Sequence, residues 1–430
     1  MIDDDNHKNK LAIADEVYDL IVVGGGAAGF FTAIRTKEHN PSMKVLILEK
    51  SDKILSKVRI SGGGRCNVTH NCFNNTELLK AYPRGNRFLK KVFPEFGVKE
   101  TVNWFEKNGV PLKIEKDGRM FPVSDNSADI INCFLKKCNQ HSIEIVLKSP
   151  VSGIKKQDEL FYIQTKNKTY TARKLMVAVG GYTKIEQYKW IQELGHKIIN
   201  PVPSLFTFNI PEKKLHNLAG VSLENSEVFL ENSKFTSSGP LLITHWGLSG
   251  PAILKLSSLA AEYLNEKKYN FNIRVNWNKD FTEKFLSEKM ENFQKTHKNK
   301  KIRNTSIEPI PNRLWLYLLE KVLQGKDKSW GELAKKEKNK LIEILFRSPY
   351  NVEGKTTFKE EFVTCGGIDL QEINSKNMES TLHKDLYFSG EILNIDAVTG
   401  GYNFQAAWSC AAIAAKHIAQ LNNNGKSTTR

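Results

Sequence analysis

Gly24, Gly26 and Gly29 follow the apolar run Tyr18–Val23 and precede Phe30–Ile34. That is the order in which a strand, a tight turn and a helix present bare backbone N–H groups to a pyrophosphate. Gly24 permits the turn, Gly26 removes the Cβ that would keep phosphates away, and Gly29 lets helix and strand approach closely, with Ala28 in the same turn. Glu49 lies 20 positions beyond Gly29, at the end of the second apolar run Lys44–Leu48 and just before Lys50. Its carboxylate can accept the ribose hydroxyls of an adenosine and would repel a 2′-phosphate, so the site fits FAD or NAD better than NADP. Two later glycine clusters favour the longer cofactor, FAD. Gly180-Gly181 ends the run Leu175–Val179, and Gly390-Glu391 ends Tyr387–Ser389. Gly400-Gly401, before Tyr402, Asn403 and Phe404, opens a last helix whose N-terminus suits negative charge on a reduced flavin.

Elements must exist to hold these residues. The alternation from Tyr18 to Leu48 predicts strand, helix, strand, and hence a parallel sheet with a right-handed crossover. Residues 84–140 read as mainly helical, with Phe88, Val92, Phe93 and Phe96, and later Ile130, Ile131, Phe134 and Leu135, sharing faces. Residues 143–179 read as short strands forming an antiparallel meander that rejoins the sheet. Segments 205–210 and 269–275 mark a β-rich region, and 280–345, rich in Lys, Glu, Leu and Asn, a helical insertion. The expected partition is a dinucleotide-binding part at 16–199, a β-rich part at 200–279, a helical insertion at 280–345, a return at 346–365 and a final dinucleotide-binding part at 366–422. The Lys-rich stretch His297–Lys301 reads as a solvated face rather than a nucleic-acid site.

The whole composition fits an ordinary folded protein. The 430 residues are 40% hydrophobic and 26% charged, which excludes disordered and fibrous classes. Lys and Arg number 63 against 47 Asp and Glu, a net charge of +16 that favours anionic ligands such as nucleotides or RNA. Six cysteines are too few for a disulfide framework, and the polar start MIDDDNHKNK does not read as a signal peptide, so a cytoplasmic location is expected. No apolar run reaches the roughly 20 residues of a membrane span. Neither CxxC nor HExxH occurs, so no metal site is expected.

Four longer motifs go further: Ile60-Ser-Gly-Gly-Gly-Arg-Cys-Asn-Val-Thr69, Gly118-Arg-Met-Phe-Pro-Val-Ser124, Thr244-His-Trp-Gly-Leu-Ser-Gly-Pro251 and Gly390-Glu-Ile-Leu-Asn-Ile-Asp-Ala-Val-Thr-Gly-Gly-Tyr-Asn-Phe-Gln405. Together, in this order and over nearly the whole chain, they resemble the BaiN/YhiN-like NAD(P)/FAD-dependent oxidoreductases. The resemblance implies an α/β protein: a Rossmann-type, glutathione-reductase-like FAD-binding domain built from both chain ends, with an inserted β-barrel-like domain and a small helical domain. It implies that Gly64, Arg65, Cys66 and Asn67 lie in a loop beside FAD, that Val151 meets adenine, and that Glu391, Asn403 and Phe404 lie near the ribityl and flavin. It also implies NAD(P)H as a transient reductant, since only one GxGxxG is present. His70 departs from the Asn usual at its position, and Val58-Arg59 from a Lys-Leu pair.

Of the remaining candidates, His245 in its Gly-rich loop is read as a proton donor or as a loop-ordering residue at even weight. Cys365 is read as a small buried thiol. Cys133 and Cys138 lie in a helical stretch without flanking glycines, so a redox disulfide is rejected. The leading functional expectation is hydride transfer among NAD(P)H, flavin and an organic acceptor, above all a polarised C=C bond. The alternatives are the same chemistry on a ribosomal RNA uridine, and a non-catalytic dinucleotide sensor. The family that the motifs resemble includes enzymes linked to both reductions.

Overall fold

The run Tyr18–Val23 is apolar at nearly every position, the pattern of a strand covered on both faces. In the computed structural model, which describes residues 13–356 and 363–420, it ends β1 (Ile13–Val23). The polar start of the chain, part of the expected return segment and the last two residues of 366–422 lie outside the described residues. Helix α1 (Ala27–His39) follows, then β2 (Val45–Leu48), parallel to β1 with Leu20 opposite Val45. Strand Glu144–Val146 extends the sheet beyond β2, and Thr169–Val177 lies on the other side of β1, both in parallel.

Strand Thr169–Val177 divides its free edge between two partners. Its first half pairs antiparallel with Leu160–Thr165, which pairs in turn with Val151–Gln157, as the expected meander requires. Its last half pairs in parallel with Leu386–Phe388. This brings a strand from the end of the chain to the same sheet edge as β1, so the turns after Val23, Val177 and Phe388 open at one end of the sheet. Ligands of open parallel sheets bind at that carboxyl end.

Helix α1 packs on the last helix, Tyr402–Ile418. The last helix is rich in alanine, which allows close approach, and its largest buried side chain, Trp408, meets Phe31 at 5.3 Å and Phe105 at 5.6 Å. Helices Asn86–Val92, Val98–Lys107 and Ala128–Gln140 form where helix was expected. The region is less helical than the pattern predicts, however. A small antiparallel sheet of Thr69–His70, Arg119–Pro122 and Leu112–Ile114 interrupts it. Strands of two to four residues are too short to show alternation.

The chain separates into two units, residues 13–202 with 363–420 and residues 203–356, among those described. Strands Ile198–Ser204 and Val363–Ile368, where the chain leaves and returns, pair with each other. Gly366 has φ +113°, and a Cβ there would lie 2.6 Å from the Asn200 carbonyl oxygen, so the pair tolerates no side chain at this point.

The second unit is a seven-stranded sheet in the order 348–353, 270–276, 222–230, 236–244, 247–249, 207–209, 355–356, antiparallel at every pairing resolved. Its two edge strands are consecutive in the chain, joined by Gly354. The Gly354 N–H donates to the Tyr269 carbonyl, and its own carbonyl accepts from Asn209, which curls the sheet toward closure as in a barrel. Helices Glu283–Thr296, Asn312–Leu323 and Lys335–Phe346 share the sheet's core, with Trp277, Trp315, Trp330, Leu345 and Tyr350 in one buried cluster.

Candidate functional site

Gly24 adopts φ +115°, and a Cβ there would lie 2.4 Å from the Ala178 carbonyl oxygen. A Cβ on Gly29 would lie 1.9 Å from the Gly24 carbonyl oxygen. Both glycines are therefore demanded by packing alone. Gly26 differs, because nothing lies within 4 Å of the Cβ it lacks. It is the N-cap of α1, provides no side-chain cap, and is followed by no acid in the first turn. The helix thus begins with open space and free N–H donors, the donor set a pyrophosphate fits.

Glu49 braces this turn from within the protein. One carboxylate oxygen accepts the Gly25 N–H at 2.7 Å, and the other accepts Ser51 through its N–H and hydroxyl, each at 2.8 Å. A carboxylate offers about four acceptor positions, so capacity remains for a ribose hydroxyl. The Glu49 carbonyl accepts the Ser149 N–H, which brings Val151, at the start of its strand, to the same side. Lys50 extends over the Tyr182 ring, 5.5 Å from its centre.

The late glycines converge on the same turn. A Cβ on Gly390 would lie 3.0 Å from that of Ala28, and one on Gly181 would lie 2.5 Å from Thr364 Oγ1 and 3.3 Å from the Glu391 carbonyl. Gly180, at φ +79°, faces open space. The Glu391 carboxylate pairs with Lys57. Gly390, Glu391 and Asn403 line one recess with Ile395, Ala406 and Cys410.

The motif around Cys66 meets the motif at the last helix through its backbone. The Asn67 side chain donates to the Thr69 carbonyl at 3.0 Å and accepts the Gly401 N–H at 2.9 Å. His70 Nδ1 is 3.1 Å from the Gly400 carbonyl, and its ring stacks on Tyr402 at 4.6 Å. The Tyr402 carbonyl accepts the Tyr82 hydroxyl at 2.7 Å, and Asn403 closes a pair of hydrogen bonds onto the backbone of Ala397. Phe404 stacks on Trp408 at 5.5 Å. Gly64, at φ +87°, ends the glycine loop. Arg65 lies 4.0 Å over the Phe121 ring and pairs with Glu115 at 2.5 Å. Cys66 is fully buried, which pushes its thiol up to about 12. A thiol so protonated is not a nucleophile at neutral pH.

Among the described residues, none of the cysteines weighed from sequence is joined in a disulfide. Cys133 and Cys138 are buried on one helix, and burial raises their thiols to about 11 and about 12. Cys365 is buried in the returning strand. His245 lies in the second unit, exposed at the turn between strands Thr236–Thr244 and Gly247–Ser249. Thr244 closes that turn by donating to the Gly247 carbonyl at 3.1 Å. Among the described residues no group of three His, Cys, Asp or Glu side chains is placed to hold a metal ion, and no helix is long and apolar enough to cross a membrane.

Sequence reasoning missed one pair that supports the site. Asp396 is fully buried and meets Arg84 in a two-pronged ion pair, with Arg84 Nε 2.5 Å from the carboxylate. The neighbouring Ala397 is what Asn403 holds. An aspartate inside the apolar run Ile395-Asp396-Ala397-Val398 is a legible sign of a buried pair. Its partner, 312 residues away, is not.

A parallel sheet whose glycine turns meet at its carboxyl end, with an uncapped helix N-terminus and a ribose-ready carboxylate, defines a Rossmann-type dinucleotide-binding protein. The chain belongs to the HI0933-like family, whose Rossmann-domain model matches residues 18–417. It is an FAD-dependent oxidoreductase by class. It is 29% identical over 419 residues to the ribosomal RNA dihydrouridine synthase of Escherichia coli (strain K12), covering 94% of this chain and 98% of that one. It is 25% identical over 411 residues to the 3-dehydro-bile acid delta(4,6)-reductase of Clostridium scindens, covering 93% and 98%. Among solved structures, a 3-ketosteroid-delta4-(5alpha)-dehydrogenase from Rhodococcus jostii RHA1 superposes with a TM-score of 0.47 at 11% identity, covering 95% and 98%.

Proposed function

We propose that this protein reduces a C=C bond conjugated to a carbonyl, consuming NAD(P)H and one proton and leaving a CH–CH bond and NAD(P)⁺, and that its substrate is uridine in RNA. FAD, when bound, supplies the two-electron hydride chemistry. The observation that carries the reading is that Gly390 lies against Ala28 at the uncapped start of α1, with Gly24 against Ala178 and Gly181 against Glu391, all within one unit.

In this reading the first-turn N–H groups of α1 hold the pyrophosphate and Glu49 the adenosine ribose, with Val151 against the adenine. Glu391 holds the ribityl hydroxyls once Lys57 shares or releases it. The segment Gly400–Phe404 and the loop Gly64–Asn67 flank the flavin, and the N-terminus of the last helix favours negative charge there. His245, exposed at its turn in the second unit, is the proposed proton donor.

Uridine and an enone steroid both present a C=C bond next to a carbonyl, so the chemistry alone does not separate them. The charge does: +16 suits a polyanionic substrate and gives no advantage toward a neutral steroid. The likeness to a ribosomal RNA dihydrouridine synthase points the same way.

The test is an absorbance spectrum of the purified protein, anaerobic titration with NADH and NADPH, and then acceptor assays. FAD that bleaches with a nicotinamide and is reoxidised by rRNA fragments, with loss of uridine absorbance, is expected. Reoxidation by an enone steroid and not by RNA would replace the substrate. A protein that neither holds nor can be reconstituted with FAD would end the reading and leave a dinucleotide sensor without turnover.

A further inference from the structure

We propose that the cleft at the end of helix Asn312–Leu323 is a docking site for a single-stranded segment of RNA, separate from the glycine-lined site. Two loops build it, 295–303 and 324–331. Between them they carry Lys295, Lys298, Lys300, Lys301, Arg303, Lys326 and Lys328 against a single acid, Asp327. Asp327 is engaged by Lys301, and Lys328 pairs with Glu337 from a neighbouring helix. The other five cations form no ion pair among the described residues, so their charge is available to a ligand.

A run of lysines on a surface is ordinarily a solvated face, and from sequence His297–Lys301 reads that way. The tertiary structure adds two features a solvated face lacks. First, the loops are locked side by side. Trp330 N–H donates to the Lys300 carbonyl at 3.1 Å, Gly331 to Lys298 at 2.9 Å and Ile302 to Lys328 at 3.0 Å. The buried Trp315 fixes them from below by donating to the Ile302 carbonyl at 2.9 Å. The cations therefore stand on a rigid frame, and less freedom is lost when phosphates bind.

Second, three of the cations border an apolar hollow. Arg303, Lys326 and Lys328 stand with Glu320 and Asp327 around a cleft of about 210 Å³ floored by Leu316, Leu319 and Leu323, smaller than the roughly 300–1,000 Å³ of sites that enclose a whole small ligand. Gly325, at φ +82° with nothing within 4 Å of its missing Cβ, leaves the mouth open. An apolar floor whose rim carries three cations against Glu320 and the Lys301-engaged Asp327 suits a nucleotide whose base leaves the stack while its phosphates stay in reach. Duplex RNA would not present such a base.

This inference rests on RNA being the substrate, and the test separates the two. Binding of a fluorescent single-stranded oligouridylate is measured against salt for the flavin-loaded protein, for a Lys300→Gln, Arg303→Gln, Lys326→Gln variant, for Leu316→Ser, and for a control with Lys99→Gln, Lys155→Gln and Lys166→Gln. Flavin reduction by NAD(P)H serves as the fold check. Each phosphate contact on a single strand contributes about 0.7 to the salt slope, so the cleft variant is expected to lose about 2 in slope and at least about tenfold in affinity. Leu316→Ser is expected to weaken binding with the slope unchanged, and the control to bind nearly normally. Equal losses in the cleft and control variants, or none in the cleft variants, would overturn the docking site while leaving the substrate reading intact. No binding by the unaltered protein would overturn both.

Discussion

Gly29 and Gly26 show how one residue type serves two purposes within a single turn. At Gly29 the constraint is internal, since any Cβ would meet the Gly24 carbonyl oxygen at 1.9 Å. Gly29→Ala is therefore expected to cost at least about 1–3 kcal/mol, the usual penalty of overpacking, and to lower flavin content, both read from urea denaturation and the visible spectrum. A different residue-scale feature governs acid stability. His196 is buried between Glu372, 2.9 Å from Nδ1, and Ser380, 3.0 Å from Nε2. The arrangement resembles a catalytic triad, but Ser380 Oγ already accepts the N–H groups of Leu382 and His383, so it has no lone pair free to attack. Burial lowers the His196 pKa, outweighing the opposing pull of Glu372. A lowered folded value means that the unfolded chain takes up a proton the folded chain refuses, so stability is full above about pH 6.5 and falls as the pH drops below it. His196→Gln is expected to be less stable at pH 7.5 yet to show a flatter stability profile between about pH 6.5 and 5, followed by thermal melts in buffers of equal ionic strength.

At the scale of elements, the start of α1 is the clearest case of local stability given up for a site. The helix has neither a side-chain cap nor an acid in its first turn. Ala27→Asp would complement the helix dipole and is expected to stabilise the flavin-free protein by about 0.3–1 kcal/mol. The same carboxylate would stand where the pyrophosphate is proposed to lie, so flavin affinity is expected to drop sharply. Equilibrium dialysis with FAD beside a thermal melt checks both signs, and an Ala27→Asp variant that keeps its flavin would place the phosphates elsewhere. The last helix is the complementary case. Its N-terminus is held by Asn67, His70 and Tyr82, none of them nearby in sequence, so the motifs at 60–70 and 399–405 act as one element although more than 300 residues separate them.

For the whole molecule, two buried clusters divide the described residues, one in each unit. Every proposed FAD contact lies in the first unit. A ligand stabilises only the part that binds it, by about 2.7 kcal/mol at 100 times its dissociation constant. Differential scanning calorimetry with added FAD is thus expected to move one transition upward and leave a second in place. Movement of both together would mean that the second unit contributes to cofactor binding. The charge also belongs to this scale: the excess of +16 has no fold-determining role, but it sets how a polyanion is drawn to the surface.

The βα unit, the chemistry of Gly24–Gly29 and Glu49, and the meander are all legible along the chain, because each depends on neighbours within a few dozen residues and on a readable period. The C-terminal Gly-Gly-Tyr-Asn segment is marked as significant in the same way. Folding alone settles that Gly390 sits against Ala28, that Arg84 neutralises Asp396, and that Glu49 spends three hydrogen bonds on its own turn. It also settles that Arg303 from one loop and Lys326 and Lys328 from another border one apolar hollow. Burial, charge pairing and strand order across hundreds of residues depend on which surfaces the folded chain brings together, and no local pattern of residue types encodes that choice.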